Sequence, residues 1–168
     1  NWNGNPNLFP INGRGIENDP YLIYNVDDFN KIGNNLSAYY KLMNDLDFNY
    51  ASIMPIGDGS NPFKGSFDGN NKMLSNLKIE FANIENVGLF GCTESATIKN
   101  LCIVNAKVLG KTNVGILVGK MIGGSITNCM IEISGGNEIV GLTEGNVNIS
   151  DNNLIEKSEI SGFEKSIK

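Results

Sequence analysis

Val87-Gly88-Leu89-Phe90-Gly91 decides how this chain is read, because the chain repeats it. It returns as Val114-Gly115-Ile116-Leu117-Val118-Gly119 and again, loosely, as Val140-Gly141-Leu142-Thr143-Glu144-Gly145. A second phrase keeps similar time. Leu74-Ser75-Asn76-Leu77 is followed by Ile98-Lys99-Asn100-Leu101 and then by Ile126-Thr127-Asn128-Cys129. Self-similarity at a period in the twenties marks a solenoid, in which one supersecondary unit cannot bury its apolar side without a neighbour.

The intervening residues select the kind of solenoid. Short runs rich in Ile, Val, Leu and Thr, such as Leu101-Cys102-Ile103-Val104 and Cys129-Met130-Ile131-Glu132-Ile133, alternate with Asn, Lys, Glu and Ser and are broken by Gly or Asn. Period-two alternation bounded by those residues reads as strand and turn. A leucine-rich repeat of this length needs a second half with its own Leu-x-x-Leu-x-Leu pattern, and none is present. Three short strands fill about 24 to 28 residues, each hydrogen-bonded to its equivalent in the next coil. The expectation is an all-β, right-handed parallel β-helix of about five coils. Its inward structural ladder includes Leu77, Leu101 and Cys129, and Val87, Val114 and Val140.

Composition fits. A chain of 168 residues, 40% hydrophobic and 18% charged, has the length and apolar content for one globular domain. Its 20 glycines and many asparagines suit tight corners. A net charge of −5 excludes a nucleic-acid partner, whose phosphates need a basic face. No apolar run is long enough for membrane insertion. A chain that opens at Asn1, without Met or leader, reads as a trimmed or mature form.

In order, residues 1–18 read as an irregular arm with Trp2 and Phe9 as apolar handles, Trp2 covering an exposed end of the stack. Residues 19–62 hold a first strand at Tyr21-Leu22-Ile23-Tyr24, a helix and the first coil. The helix is expected near 26–36, capped by Asn25 or Asp27, with Val26, Phe29, Ile32 and Leu36 as one apolar stripe. Such a helix would cover strand edges that otherwise invite pairing. Leu42, Leu46 and Phe48 follow as core contributors. Residues 63–149 form the repeating coils, and 150–168, with Phe163, a partial last coil or tail.

Candidate chemistry is sparse. Asp45 and Asp47, at i and i+2, are calcium candidates, set against the plainer reading that they accept from turn amides. The expected metal and cofactor complement is none. Asn76, Asn100 and Asn128 each precede a ladder position and read as stacked corner asparagines that bond between coils. Cys129 aligns with Leu101 as an inward filler, while Cys102 should face outward by alternation. Three cysteines cannot all pair within the chain, and with no histidine a zinc site or a His-based triad has no ligand or base.

The phrases Phe63-Lys64-Gly65-Ser66-Phe67-Asp68-Gly69-Asn70, Gly88-Leu89-Phe90-Gly91 and Ile98-Lys99-Asn100-Leu101 resemble the GLUG-motif repeats of bacterial surface proteins. Such repeats also occur in relatives of the zinc metallopeptidases that cut immunoglobulin A. The family's preface is matched by Asp19 to Ile23, Val26 to Leu36, Tyr40 to Asp47 and Pro55 to Gly57. The chain departs from the pattern at Ile116, where a motif Gly is expected, and at Thr143-Glu144, where an apolar pair is expected.

The resemblance implies a secreted or cell-surface protein and a host glycan or protein as partner; oligomeric state is left open. Absence of histidine also removes the HExxH motif, so a relative's peptidase activity cannot reside in this segment. The leading expectation is a non-catalytic module acting as an adhesive, ligand-presenting face. One alternative is a purely structural spacer. The other is a polysaccharide lyase or hydrolase of the β-helix type. Such lyases pair a basic residue with calcium-binding carboxylates, and the sole arginine, Arg14, lies in the arm.

Overall fold

Asparagine sets the corners. Among the described residues, twelve non-glycine positions take left-handed backbone angles, with φ between 51° and 62°, and nine of them are Asn. Most side chains resist this conformation, whereas the short Asn amide tolerates it and bonds nearby backbone. Between corners the chain is extended, with apolar residues on one side.

The computed structural model describes residues 7–10, 12–133 and 136–156. It is mostly β: β1 Tyr21–Ile23, β2 Tyr39–Leu42, β3 Leu46–Asp47, β4 Ser66–Glu80, β5 Glu85–Val87, β6 Phe90–Glu94, β7 Thr97–Leu109, β8 Thr112–Thr127, β9 Met130–Ile133, β10 Glu138–Ser150 and β11 Asn153–Glu156. The strands join in one sheet of order β1-β2-β4-β7-β8-β10, with β3 on β4, β5 and β6 on β8, β9 on β7 and β11 on β9. These pairings are parallel throughout. One parallel sheet of long, bending strands agrees with the parallel β-helix that the repeats imply. Among the described residues no helix is long and apolar enough to cross a membrane.

Three rows line the interior, and two of them end on exposed residues, Ile149 and Leu154. Tyr21, Tyr40, Phe67, Ile98, Ile126 and Ile149 stand in register. So do Leu46, Leu74, Ile103, Ile131 and Leu154. Ile56, Phe90, Val118 and Val140 form the third. Each fully buried aliphatic side chain in these rows contributes roughly 1.5–3 kcal/mol.

The register corrects several sequence expectations. Val140 pairs with Val118, not Val114, so Val140-Gly141 repeats the end of the motif rather than its start. Val87 does pair with Val114, but Val114 is only half-buried. Ile98 stacks on Phe67, while Leu74 meets Ile103, so the spacing from Leu74 to Ile98 does not join equivalent positions. An irregularity between Asp68 and Lys72 shifts the register of the first corner. Leu77 faces Ala106, while Leu77, Leu101 and Cys129 are all buried. Cys102 shares a row with the exposed Met73 and Met130 and lies outside the apolar core cluster, yet it is only 9% exposed.

The expected helix over 26–36 is shorter. Helix α1 spans Val26–Phe29, and a 3₁₀ turn follows at Ile32–Asn34. Asn25 caps α1, its Oδ1 accepting from the Asp28 N–H at 2.8 Å. Asn30 is the C-cap of α1, and Gly33, Asn34 and Asn35, all poor helix formers, do not support a longer α-helix. The apolar stripe survives, with Phe29 and Ile32 buried and Val26 and Leu36 packed against the core.

Aromatic rings fill the N-terminal half. Phe9, Tyr21, Tyr40, Phe63, Phe90, Phe67, Phe29 and Phe48 form a continuous run of contacts, with centroids 4.8 to 6.4 Å apart. Past Phe90 the described core is aliphatic, as at Ile98, Ile116, Val118 and Ile131. The two ends differ as well. The N-terminal arm occupies the β1 end: Leu22 N–H of β1 donates to the Asn12 carbonyl at 3.0 Å, and Tyr39 N–H of β2 to that of Gly15 at 2.9 Å. Leu142, Ile149 and Leu154, at the far end of the described residues, are exposed. Trp2 and residues 157–168, with Phe163, lie outside the described residues.

Candidate functional site

Five triplets with the pattern polar–apolar–polar stack along one wall. They are Tyr39-Tyr40-Lys41, Ser66-Phe67-Asp68, Thr97-Ile98-Lys99, Ser125-Ile126-Thr127 and Asn148-Ile149-Ser150. Alternation turns the middle residue inward and its two neighbours outward, and in the first four triplets the middle residue is buried, while Ile149 of the fifth is exposed at the open end of the described stack. Two polar rows therefore run across the coils at a pitch of about 4.8 Å, Tyr39-Ser66-Thr97-Ser125-Asn148 and Lys41-Asp68-Lys99-Thr127-Ser150. The wall is rigid because its inward residues are locked. Tyr40 is buried, and its hydroxyl donates to the Asn35 carbonyl at 2.7 Å. Burial pushes that phenol well above its ordinary range.

The first three coils of this wall enclose a hollow of about 300 Å³, lined by Tyr39, Lys41, Lys64, Ser66, Thr97 and Lys99 and also by two carboxylates, Glu17 and Asp68. Lys64 is paired with Glu94 at 3.0 Å. Lys41 and Lys99 are half-buried, and among the described residues neither takes part in an ion pair. Asp68 stands between them in the row, but its Oδ1 accepts from the Asn70 N–H at 2.8 Å and from Asn100 Nδ2 at 3.0 Å. These bonds orient the carboxylate toward the corner, while its charge remains in the hollow's lining. A larger hollow of about 730 Å³ lies between Asn34, Met54, Asp58 and Glu85 and has no basic residue in its lining.

The sequence candidates fall elsewhere. Asp45 Oδ1 accepts from the Met73 N–H at 2.8 Å. Asp47 Oδ1 accepts from the Asn49 N–H at 2.8 Å and from Asn76 Nδ2 at 2.9 Å. The Asn76 amide, then the Asn49 N–H, hold the Asp47 carboxyl below its ordinary range. Both carboxylates thus act as links between turns and coils. Calcium asks for six to eight oxygens, and among the described residues no group of three or more His, Cys, Asp or Glu is placed to hold a metal.

The corner asparagines bond from coil to coil, along separate lines. Asn128 Nδ2 donates to Asn100 Oδ1 at 2.7 Å, continuing to Asp68. Asn76 belongs to another corner, accepting from Asn105 Nδ2 at 3.4 Å and donating to Asp47. A third line joins Asn113 Nδ2 to Asn86 Oδ1 at 2.8 Å. The three cysteines are free thiols, and burial pushes each upward, Cys129 also donating to the Thr127 carbonyl at 3.5 Å. The wall array was missed in the sequence because the triplets, opening at Tyr39, Ser66, Thr97, Ser125 and Asn148, recur at uneven intervals rather than at one period. The pattern of one apolar residue between two polar ones was the available signal.

No family model matches the chain. Over 64% of its length it is 37% identical to halomucin of Haloquadratum walsbyi, of which it spans 1%. Over 72% of its length it is 28% identical to a protein of Evansella cellulosilytica provisionally named a Gly-rich membrane protein, of which it spans 15%. Among solved structures, a chain of Bacteroides ovatus provisionally described as an immunoglobulin A1 protease aligns with a TM-score of 0.72 and 24% identity, over 89% of this chain and 50% of its own. That likeness shows a shared fold.

Proposed function

We propose that this segment is a non-catalytic module of a secreted or cell-surface protein, a right-handed β-helix of about five GLUG-like coils that presents a ligand-binding wall. The observation that carries the reading is the in-register stacking of five outward polar pairs, the first four over buried residues. Side chains fixed at a constant pitch suit an extended ligand with its own repeat, such as a host glycan or a strand of protein. The names of the relatives, a halomucin and a membrane protein, support a place at or outside the cell surface.

A structural spacer is the second reading, favoured by the small share of each long relative that the segment spans. Glycan-array and host-protein binding by the 168-residue chain separates the two. Reproducible micromolar binding that is lost when wall residues change excludes the spacer, and its absence across both panels leaves the spacer standing. Turnover of polygalacturonate or another acidic polysaccharide overturns both.

A further inference from the structure

We propose that the hollow on the first three coils binds the acidic group of a saccharide, a carboxylate or a sulfate; this rests on the reading of the wall as a binding face. The argument starts from charge. A lysine whose stem is half-buried keeps its ammonium close to one place on the surface, where a carboxylate or sulfate can pair with it. Lys41 and Lys99 have no ion-pair partner among the described residues, although the chain as a whole carries a net charge of −5. They line the same hollow, two rungs apart, which places their backbones roughly 10 Å from each other. Two carboxylates share the lining: Asp68, between the lysines, whose Oδ1 is already engaged by Asn70 and Asn100, and Glu17, exposed on the N-terminal arm.

The rest of the lining suits a sugar. Ser66 and Thr97 supply hydroxyls that donate and accept, matching sugar hydroxyls in both roles. Tyr39 is exposed, and its ring offers a flat apolar surface for the C–H face of a pyranose. At about 300 Å³ the hollow stands at the small end of ligand-sized sites, enough for one or two sugar units of a longer chain lying along the wall. Further along, the outward rows change to Ser125, Thr127, Asn148 and Ser150, which bond to neutral hydroxyls but carry no charge. The site thus reads as one charged anchor followed by a neutral track.

The test is calorimetric titration of the 168-residue chain with tetragalacturonate, a heparin-derived tetrasaccharide and uncharged maltotetraose. The expected result is binding of at least one acidic probe in the micromolar to millimolar range, weakened by added salt, with maltotetraose about tenfold or more weaker. Preference for tetragalacturonate assigns a carboxylate, and preference for the heparin fragment a sulfate. Lys41→Gln with Lys99→Gln should weaken the acidic probe by about tenfold or more, whereas Lys111→Gln, outside the hollow, should not. Amide shifts in the unmodified chain report independently of any variant and should concentrate at residues 39–41, 66–68 and 97–99. Binding that is unchanged in the double variant, shifts centred elsewhere, or failure of both acidic probes overturns the proposal. Equal binding of maltotetraose at the wall also overturns it, while leaving the wider reading of a ligand-presenting module intact.

Discussion

Replacing Gly119 by Ala puts a methyl group where two stretches of backbone already lie. A Cβ at this position would sit 2.5 Å from Asn86 C and Val87 N and 2.7 Å from the Gly91 carbonyl oxygen. Comfortable separations between such atoms are about 3.5–4.0 Å. None of the three belongs to a side chain that can swing aside, so the coils themselves must shift. Overpacking costs about 1–3 kcal/mol, and immovable neighbours put this case near the top of that range. The alanine returns about 0.4–1 kcal/mol by restricting the unfolded chain, which leaves a net loss of about 2 kcal/mol. For a chain of this size that lowers the melting temperature by roughly 4–8 °C. Gly33→Ala is the control, since nothing lies within 4 Å of its Cβ position; it should be neutral or stabilising by up to about 1 kcal/mol. Urea unfolding followed by far-UV circular dichroism measures both. If Gly119→Ala lies within about 0.5 kcal/mol of the parent, the close approach of Asn86–Val87 to the motif glycine is not what the sequence protects.

Other outcomes follow from the interior and the corners. Leu101→Asp should abolish folding, because it places an unpaired charge at a buried rung; a soluble, cooperatively melting variant would refute the inward placement. Asn100→Ala should cost about 2–3 kcal/mol, losing the bonds to Asp68 and Asn128 and straining a backbone held at φ 58°. Asn100→Gly should cost less, because only the hydrogen bonds are lost, and equal losses would show that the backbone angle is irrelevant. The depressed carboxyl of Asp47 stabilises the fold above its ordinary value of 3.8, and this contribution is lost as the pH falls through the lower folded value. Asp47→Asn should therefore flatten the acid limb of the stability–pH curve, and an unchanged limb sinks the assignment. Calcium should leave the melting temperature unchanged, while a rise abolished by Asp45→Asn would show that the two carboxylates hold metal after all.

The repeat was legible because burial imposes it, whereas the register was not, because corners vary in length. Val87 and Val114 fell into line, but Val140-Gly141 copies the Val118-Gly119 end of the motif, so matching its Val-Gly to Val114-Gly115 set it four residues out of register. The second phrase failed because Leu74-Ser75-Asn76-Leu77 belongs to the corner of Ile103 and Asn105, whereas Ile98-Lys99-Asn100-Leu101 stacks on the stretch from Phe67 to Lys72. The aromatic run was hidden for another reason. Tyr40, Phe63 and Phe67 looked like parts of separate turns, and only the stacking of coils brings them together. For the wall, composition revealed exposed Tyr and Lys but not that Lys41 and Lys99 share a hollow, which depends on how β2, β4 and β7 pair.

Each turn of this chain bonds mainly to the turns before and after it, and that has a mechanical consequence. A load drawn along the stacking axis meets the inter-coil bonds one layer after another, so they yield in sequence as a zipper does. A load drawn across the axis meets many of those bonds at once and is resisted together. Under tension at a surface the segment would then serve as an extensible damper or as a stiff strut, according to the direction in which its two ends are pulled.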